Sequence, residues 1–419
     1  MFRSKSGIID WIRKKRLLGG FEKKIFRHLL GFYYRLKWLL IPIDDKKVMF
    51  CSFMGRSYSC SPRAIYEAML KDERFKDFHY VWVFTKADIG RYDFLKDKPN
   101  TTLAVYEDSS YERAFATSRY SIVNSRLPVY FCLRKNQIAL QCWHGTPLKR
   151  LGHDIVKGEF SLFSTEELCY SYRITVDQLT YFLSPSKTAS EIFTSAFALK
   201  RMKREDCILE AGYPRNDILA NYKDEDIKRI KQELKIPAGK KVCLYAPTWR
   251  DNQHVTGKGY SFELPVDFGE LQEKLGKDHV IVFRPHYFIA EVFDFTQYAG
   301  FVFDGSKIDD VNDLYIISDV LITDYSSVFF DYANLKRPII FYMYDLEEYQ
   351  NQLRDFYFDL NELPGPIVSD QEELIQAILK CECSAKITAF NKRFNYLDDG
   401  KAAQRVIDRV FNDVVKENR

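Results

Sequence analysis

Two histidines in separate halves of the chain each follow an apolar run: His144 in IALQCWHGTPLK and His286 in HVIVFRPHY. Each run is long enough for one buried strand. Each imidazole should therefore emerge at a strand's carboxyl end, where open α/β sheets hold their ligands. With an unperturbed pKa near ~6.5, such a ring can accept a proton or carry positive charge at cellular pH. Two of them meeting in a cleft between the halves suit transfer of a phosphorylated group to a hydroxyl.

The residues around each histidine fit that chemistry. After His144, Gly145 permits close backbone approach, Thr146 offers a hydroxyl, and Pro147 suits a helix's first turn; His144 is the candidate general base. Arg284 and His286 flank Pro285, and a guanidinium beside an imidazolium makes a plausible phosphate clamp. In LITDYSSVFFDYANLKRP, a strand and tight turn carrying Asp324 lead into a helix opened by Ser326 and Ser327, an anion seat fit for a pyrophosphate. LYAPTWRDN offers Thr248 and Arg250 for phosphate oxygens. EAGYPRNDIL, with Arg215 and Asn216, reads as an interdomain hinge that contacts ligand, or equally as plain structure. The bland alternatives throughout are a structural histidine, a salt-bridged arginine, capping serines and a surface loop.

Other chemistries leave no trace. There is no GxGxxG, no P-loop and no GxSxG elbow. No His/carboxylate cluster or strand-end DxD suggests a metal, so no metal or cofactor is expected, and Arg, His and N–H groups must neutralise any phosphate. The nine cysteines are scattered and read as buried reduced thiols, in keeping with a cytoplasmic protein.

These residues need elements to hold them. From Asp44 onward, strand-like runs alternate with amphipathic stretches: KVMFCSF, YVWVFT, TTLAVY, YSIVNS, QIALQCW, YFLSPS and CILEAG, then KVCLYAPTW, HVIVFRP, FVFDG, DVLITDY and PIIFYMY. Alternation of this kind predicts two Rossmann-like parallel-sheet domains with crossover helices. At 419 residues two domains are the natural prior. The expected division is an arm over 1–43, an amino-terminal acceptor-side domain over 44–225, a carboxyl-terminal nucleotide-binding domain over 226–395 and a terminal helix over 396–419.

The arm is distinctive. Residues 1–37 hold eleven Lys/Arg and two Asp/Glu, a local balance of +9 in a chain whose net charge is +4. Apolar residues recur at 18, 21, 25, 29, 32 and 36, predicting a basic amphipathic helix that lies along an anionic membrane surface through residues 1–40. The competing reading is a helix packed on the body with its basic face merely solvated. No run of ~18 apolar residues suggests a span, no secretory signal is evident, and no nucleic-acid-binding module is recognisable.

The segments QCWHGTPLKRLG, FLSPSKTASEIF, EAGYPRNDIL, YAPTWRD, FRPHY and DLYIISDVLITDYSSVFFDYANLKRPIIFY together resemble the CDP-glycerol glycerophosphotransferases of teichoic-acid synthesis, a GT-B-fold family that includes ribitol-phosphate transferases. The resemblance implies attack by an acceptor hydroxyl on the β-phosphorus of CDP-glycerol or CDP-ribitol, a co-substrate, with CMP leaving. It carries the family's two histidines onto His144 and His286 and its donor-phosphate loop onto Ser326 and Ser327. It also implies a lipid-linked acceptor at the cytoplasmic face of the bacterial membrane. The rivals are a glycosyltransferase or sugar-nucleotide epimerase on the same fold and a non-catalytic nucleotide-binding protein recruited to membranes.

Overall fold

The protein is described here by a computed structural model covering residues 20–155, 165–248, 254–255, 259–260, 265–285, 293–352 and 355–413. Two parallel sheets organise it. The first contains β1 (Asp44–Cys51), β2 (His79–Phe84), β3 (Thr101–Val105), β4 (Ser118–Val123), β5 (Ile138–Gln141), β6 (Tyr181–Ser184) and β7 (Ile208–Glu210), in the order β3-β2-β1-β4-β5-β6-β7.

The second holds β8 (Lys241–Tyr245), β11 (His279–Phe283), β12 (Val302–Asp304), β13 (Val320–Thr323), β14 (Ile339–Tyr342) and β15 (Ile367–Val368), in the order β12-β11-β8-β13-β14-β15. A small antiparallel hairpin, β9 (His254–Val255) and β10 (Gly259–Tyr260), leaves this half after β8. All twelve apolar runs of the sequence contain a strand. The edge strand β15 and the hairpin are too short to leave a periodic signal.

Strands such as Tyr80–Phe84 and Val320–Thr323 are buried along their length. That follows from helices covering both faces of a parallel sheet, which turns alternation into continuous apolar runs. In each sheet the strand order reverses between the first strand and the fourth, β1/β4 and β8/β13. A crevice outside the carboxyl ends opens at such a reversal.

The helices that matter for the site are α1 (Gly20–Leu39), α2 (Cys60–Met69), α3 (Asp217–Asn221), α4 (Asp224–Glu233), α5 (Val311–Ile317), α6 (Val328–Tyr332) and α7 (Ala402–Val410). Helices α3 and α4 connect the halves. Helix α7 carries the chain back: Val406, Ile407, Val410 and Phe411 join the first half's core, and Phe411 packs 4.2 Å from Tyr120.

Helix α1 is two-faced in an unusual sense. Tyr34 and Trp38 are buried among Phe115 and Phe131, and the Tyr34 hydroxyl donates to Glu112 Oε1 at 2.7 Å. Lys37 pairs with the other oxygen of Glu112 at 2.7 Å, and Arg134 donates to the carbonyls of Trp38 and Ile41 at the helix end. The opposite face is also apolar. Leu29, Phe32, Tyr33, Leu36 and, just past the helix end, Leu40 are 52–91% exposed. Within the described side chains, then, the periodic stripe at 29, 32 and 36 faces outward, while a second stripe holds the helix to the body. The basic cluster at 3–16 and the periodic positions 18, 21 and 25 lie outside the described side chains.

Candidate active site

At both reversal points the same device shapes the loop. In the first half Asn124, just past β4, accepts the N–H of Phe53 on Oδ1 at 2.7 Å, and Ser125 Oγ accepts that of Met54 at 2.9 Å. In the second half Asp324, just past β13, accepts the N–H of Thr248 on Oδ1 at 2.8 Å. A side chain after the fourth strand thus clasps the loop after the first. The loop after β1 needs that clasp, because Phe53, Met54 and Gly55 all have positive φ (47°, 57° and 82°). Two of them are not glycine, so the turn stores strain that the hydrogen bonds must hold.

His144 sits beside this clasp. Strand β5 ends at Gln141, whose side-chain oxygen accepts the Trp143 N–H at 3.0 Å and helps hold that residue at φ 52°. The left-handed turn swings the next residue out of the sheet, and His144 meets solvent while Trp143 stays buried and stacks on its ring at 4.4 Å. His144 Nδ1 lies 3.2 Å from the Asn124 carbonyl. A carbonyl only accepts, so Nδ1 is the protonated nitrogen and the neutral ring keeps its lone pair on Nε2.

Crowding by protein drives the imidazole pKa down to about 4; the Asn124 contact opposes this, while Arg215 and Arg126 add to it. Water at the exposed edge relieves part of that desolvation, but the direction favours a neutral ring at pH 7.

The remaining candidates fall into distinct groups. Gly145 touches Ser327 of the other half, and Thr146 is buried behind it. Ser326 and Ser327 are partly exposed, whereas Asp324 is buried. Helix α6 after them is only five residues long, and the Ser327 side chain does not cap it. Any anion seat there therefore rests on loop N–H and hydroxyl groups more than on a long helix dipole.

Arg284, expected as a phosphate clamp, is engaged by its own half of the protein. Its Nη1 donates to the carbonyls of Gly305 and Ile308, so its visible work is to shape the loop between β12 and α5. His286 and Arg250 lie outside the described residues. Arg215 and Asn216 are almost sealed and bind Asp331 of α6.

Other contacts close the halves on each other. The strap after His144 runs across: Arg150 N–H donates to the Asp355 carbonyl and Tyr357 N–H to the Leu148 carbonyl, both at 2.9 Å, and Leu148 enters the second half's core. Lys149 and Arg150 lie over Tyr349 and Tyr357. Cys60, at the start of α2, donates its N–H to Asp310 Oδ2 at 3.0 Å. Beside that contact a cavity of about 540 Å³ is lined by Tyr58, Arg63, Asp309, Asp310 and Asp313. Among the described residues no three His, Cys, Asp or Glu side chains sit close enough to share a metal ion.

Sequence reasoning did not single out Phe53, Met54, Asn124 or Asp331. Asn124 had a readable signal, a polar residue ending the buried run YSIVNS at the strand that borders the reversal. Asp331 had none, because its role depends on which helix meets the GYPRND turn.

Two doubly wound parallel sheets that meet where Gly145, following a strand-end histidine, packs against Ser327 are the architecture of a GT-B group transferase. The chain belongs to the CDP-glycerol:poly(glycerophosphate) glycerophosphotransferase family, whose sequence model matches residues 32–412.

It is 38% identical to the teichoic acid poly(glycerol phosphate) polymerase of Bacillus subtilis (strain 168), over 95% of this chain and 54% of that one. The enzyme of the same description from Bacillus spizizenii is 37% identical over 92% of this chain and 98% of its own length. A solved structure of the wall teichoic acid polymerase TagF, a variant soaked with CDPG, matches with a TM-score of 0.82 at 36% identity, covering 94% of this chain and 95% of that one. The chain thus spans about half of one polymerase and nearly all of another.

Proposed function

We propose that this protein transfers glycerol phosphate from CDP-glycerol to a hydroxyl of a lipid-linked acceptor in teichoic-acid synthesis. One observation carries the mechanism: the His144 imidazole has Nδ1 engaged by the Asn124 carbonyl, which leaves Nε2 as the basic nitrogen, and the next residue, Gly145, packs against Ser327 of the other half. The acceptor oxygen bonds to the β-phosphorus, the bond from that phosphorus to the bridging oxygen breaks, CMP departs with that oxygen, and the acceptor's proton passes to Nε2.

Ser326, Ser327 and Thr248 line the donor side, Asp324 holds the Thr248 loop, and Arg284 keeps the neighbouring loop in shape. His286 and Arg250 complete the phosphate contacts in this reading, with Thr146 and Asn216 supporting the cleft from behind. Glycerol is favoured over ribitol because the two relatives above are both glycerol-phosphate polymerases.

The acceptor is reached from a membrane surface. No helix among the described residues is long and apolar enough to cross one. The exposed face of α1 supports attachment, since a contiguous apolar stripe next to a basic segment suits an anionic lipid interface. Incubation with CDP-glycerol, CDP-ribitol and UDP-sugars, followed by mass analysis of the lipid product, tests the reaction. CMP release with a product heavier by one or more glycerol phosphate units is expected. Sugar transfer, or no CMP from any donor, rejects it.

A further inference from the structure

Tyr213 to Asp217, the turn between β7 and α3, touches four separate elements. Tyr213 N–H and Asn216 Nδ2 donate to the two carboxylate oxygens of Asp398, at 2.7 and 2.6 Å. Asn312 of α5 donates to the Arg215 carbonyl, and Asp217 accepts the first two N–H groups of α7, both at 2.8 Å.

The most exacting contact is Arg215 with Asp331 of α6: Nε to Oδ2 at 3.0 Å and Nη2 to Oδ1 at 2.9 Å, with Asn216 Nδ2 on Oδ1 from the side at 2.9 Å. The two ionic side chains are only 3% and 8% exposed. Burying two charges costs much of what their attraction returns, and an apolar pair of similar volume often serves stability equally well. A two-pronged fork does something an apolar pair cannot, fixing rotation as well as distance.

Asp331 lies four residues beyond Ser327 on a five-residue helix, so the two move as one piece. Arg215 belongs to the half that carries His144. Its Nη1 is buried without a hydrogen-bond partner, and its charge reaches the His144 ring.

Resting on the reaction proposed above, we infer that the Arg215–Asp331 fork is a latch that sets the spacing between His144 and the Ser326–Ser327 turn, making Arg215 a positioning residue. Reacting atoms displaced by about 1 Å can cost about a hundredfold in rate. The latch also keeps a cation near the base. The charged groups acting on His144 are Arg215 and Arg126, both favouring the neutral ring, against the Asn124 carbonyl, which favours the charged one.

Three variants of the full chain test this by CMP release across pH. Arg215→Lys keeps the charge but loses the fork, so kcat should fall about ten- to a hundredfold, with the KM for CDP-glycerol little changed and the acid limb of kcat/KM unmoved. Arg215→Met should lose as much kcat and shift that limb to higher pH. Arg215→Met with Asp331→Leu replaces the pair by an apolar one and should unfold near the wild-type temperature yet remain slow. Wild-type kcat in that folded double variant, or a loss confined to KM, overturns the latch alone. A wild-type enzyme releasing no CMP from any CDP-polyol overturns the reaction and the latch together.

Discussion

Gly145 and Ser327, from opposite halves, meet with no space between them: a Cβ on Gly145 would lie 2.5 Å from Ser327 Oγ and 3.2 Å from its Cβ. Rotating the hydroxyl relieves the first clash and leaves the second, so the serine turn must shift. Gly145→Ala should lower kcat/KM about tenfold or more while Tm changes little, because only the meeting point is strained. In a Ser327→Gly background the added methyl has room, and its further effect should be small. Fully additive losses in that double-mutant cycle would show that the two residues do not communicate.

His144→Ala should reduce turnover about 10²–10⁴-fold with the fold intact, the contribution typical of a positioned base. Near-normal turnover would remove that role.

The pH dependence follows from the ring's lowered pKa. Protonated His144 cannot accept the acceptor's proton, so activity is lost below the pKa, and the acid limb of kcat/KM should lie below the ordinary imidazole value near ~6.5. The sign for stability is the same. Below about 6.5 the unfolded chain takes up a proton that the folded ring resists, so this group's contribution is present above that pH and lost as pH falls toward about 4. An acid limb above 6.5, absent from His144→Ala, would contradict the assigned environment.

The strand runs, the parallel pairing and the positions of His144 and Ser327 were legible because each is a local pattern: a buried run, then a polar residue where the strand stops. Contacts that depend on pairing distant segments were not. Asp331 reads as an ordinary carboxylate on an apolar helix until α6 is laid against the GYPRND turn. The carbonyls that Arg284 binds likewise come from a distant loop, after β12, that the local FRPHY pattern does not announce. The arm combines both readings of its sequence: the stripe at 29, 32 and 36 faces outward, while Tyr34 and Trp38 form a second face that packs on the body.

Asp324 offers a test of the donor side. Its Oδ1 takes the Thr248 N–H across the β8/β13 reversal. Asp324→Asn retains an acceptor oxygen and should keep donor affinity within a few fold. Asp324→Ala removes that half-buried hydrogen bond, at about 1 kcal/mol, loosens the Thr248 loop, and should weaken CDP-glycerol binding about tenfold in calorimetry. Equal affinities for the two variants would mean that the loop does not shape the donor site.

Helix α1 separates attachment from chemistry. Its outward residues Leu29, Phe32 and Leu36, with Leu40 just past its end, touch little of the body, whereas Trp38 is sealed within it. Exposed apolar side chains in a row are costly in water unless something covers them, and a lipid interface would cover them while nearby cations meet anionic headgroups. Replacing the four outward residues by serine should therefore release the protein from vesicles containing phosphatidylglycerol, with turnover on a detergent-soluble acceptor preserved. Trp38→Ala should behave differently. It removes a core anchor at about 3–5 kcal/mol, lowering Tm and loosening the arm without removing its apolar face, so vesicle binding should persist. Serine variants that stay bound to vesicles as tightly as wild type would assign attachment to some other surface.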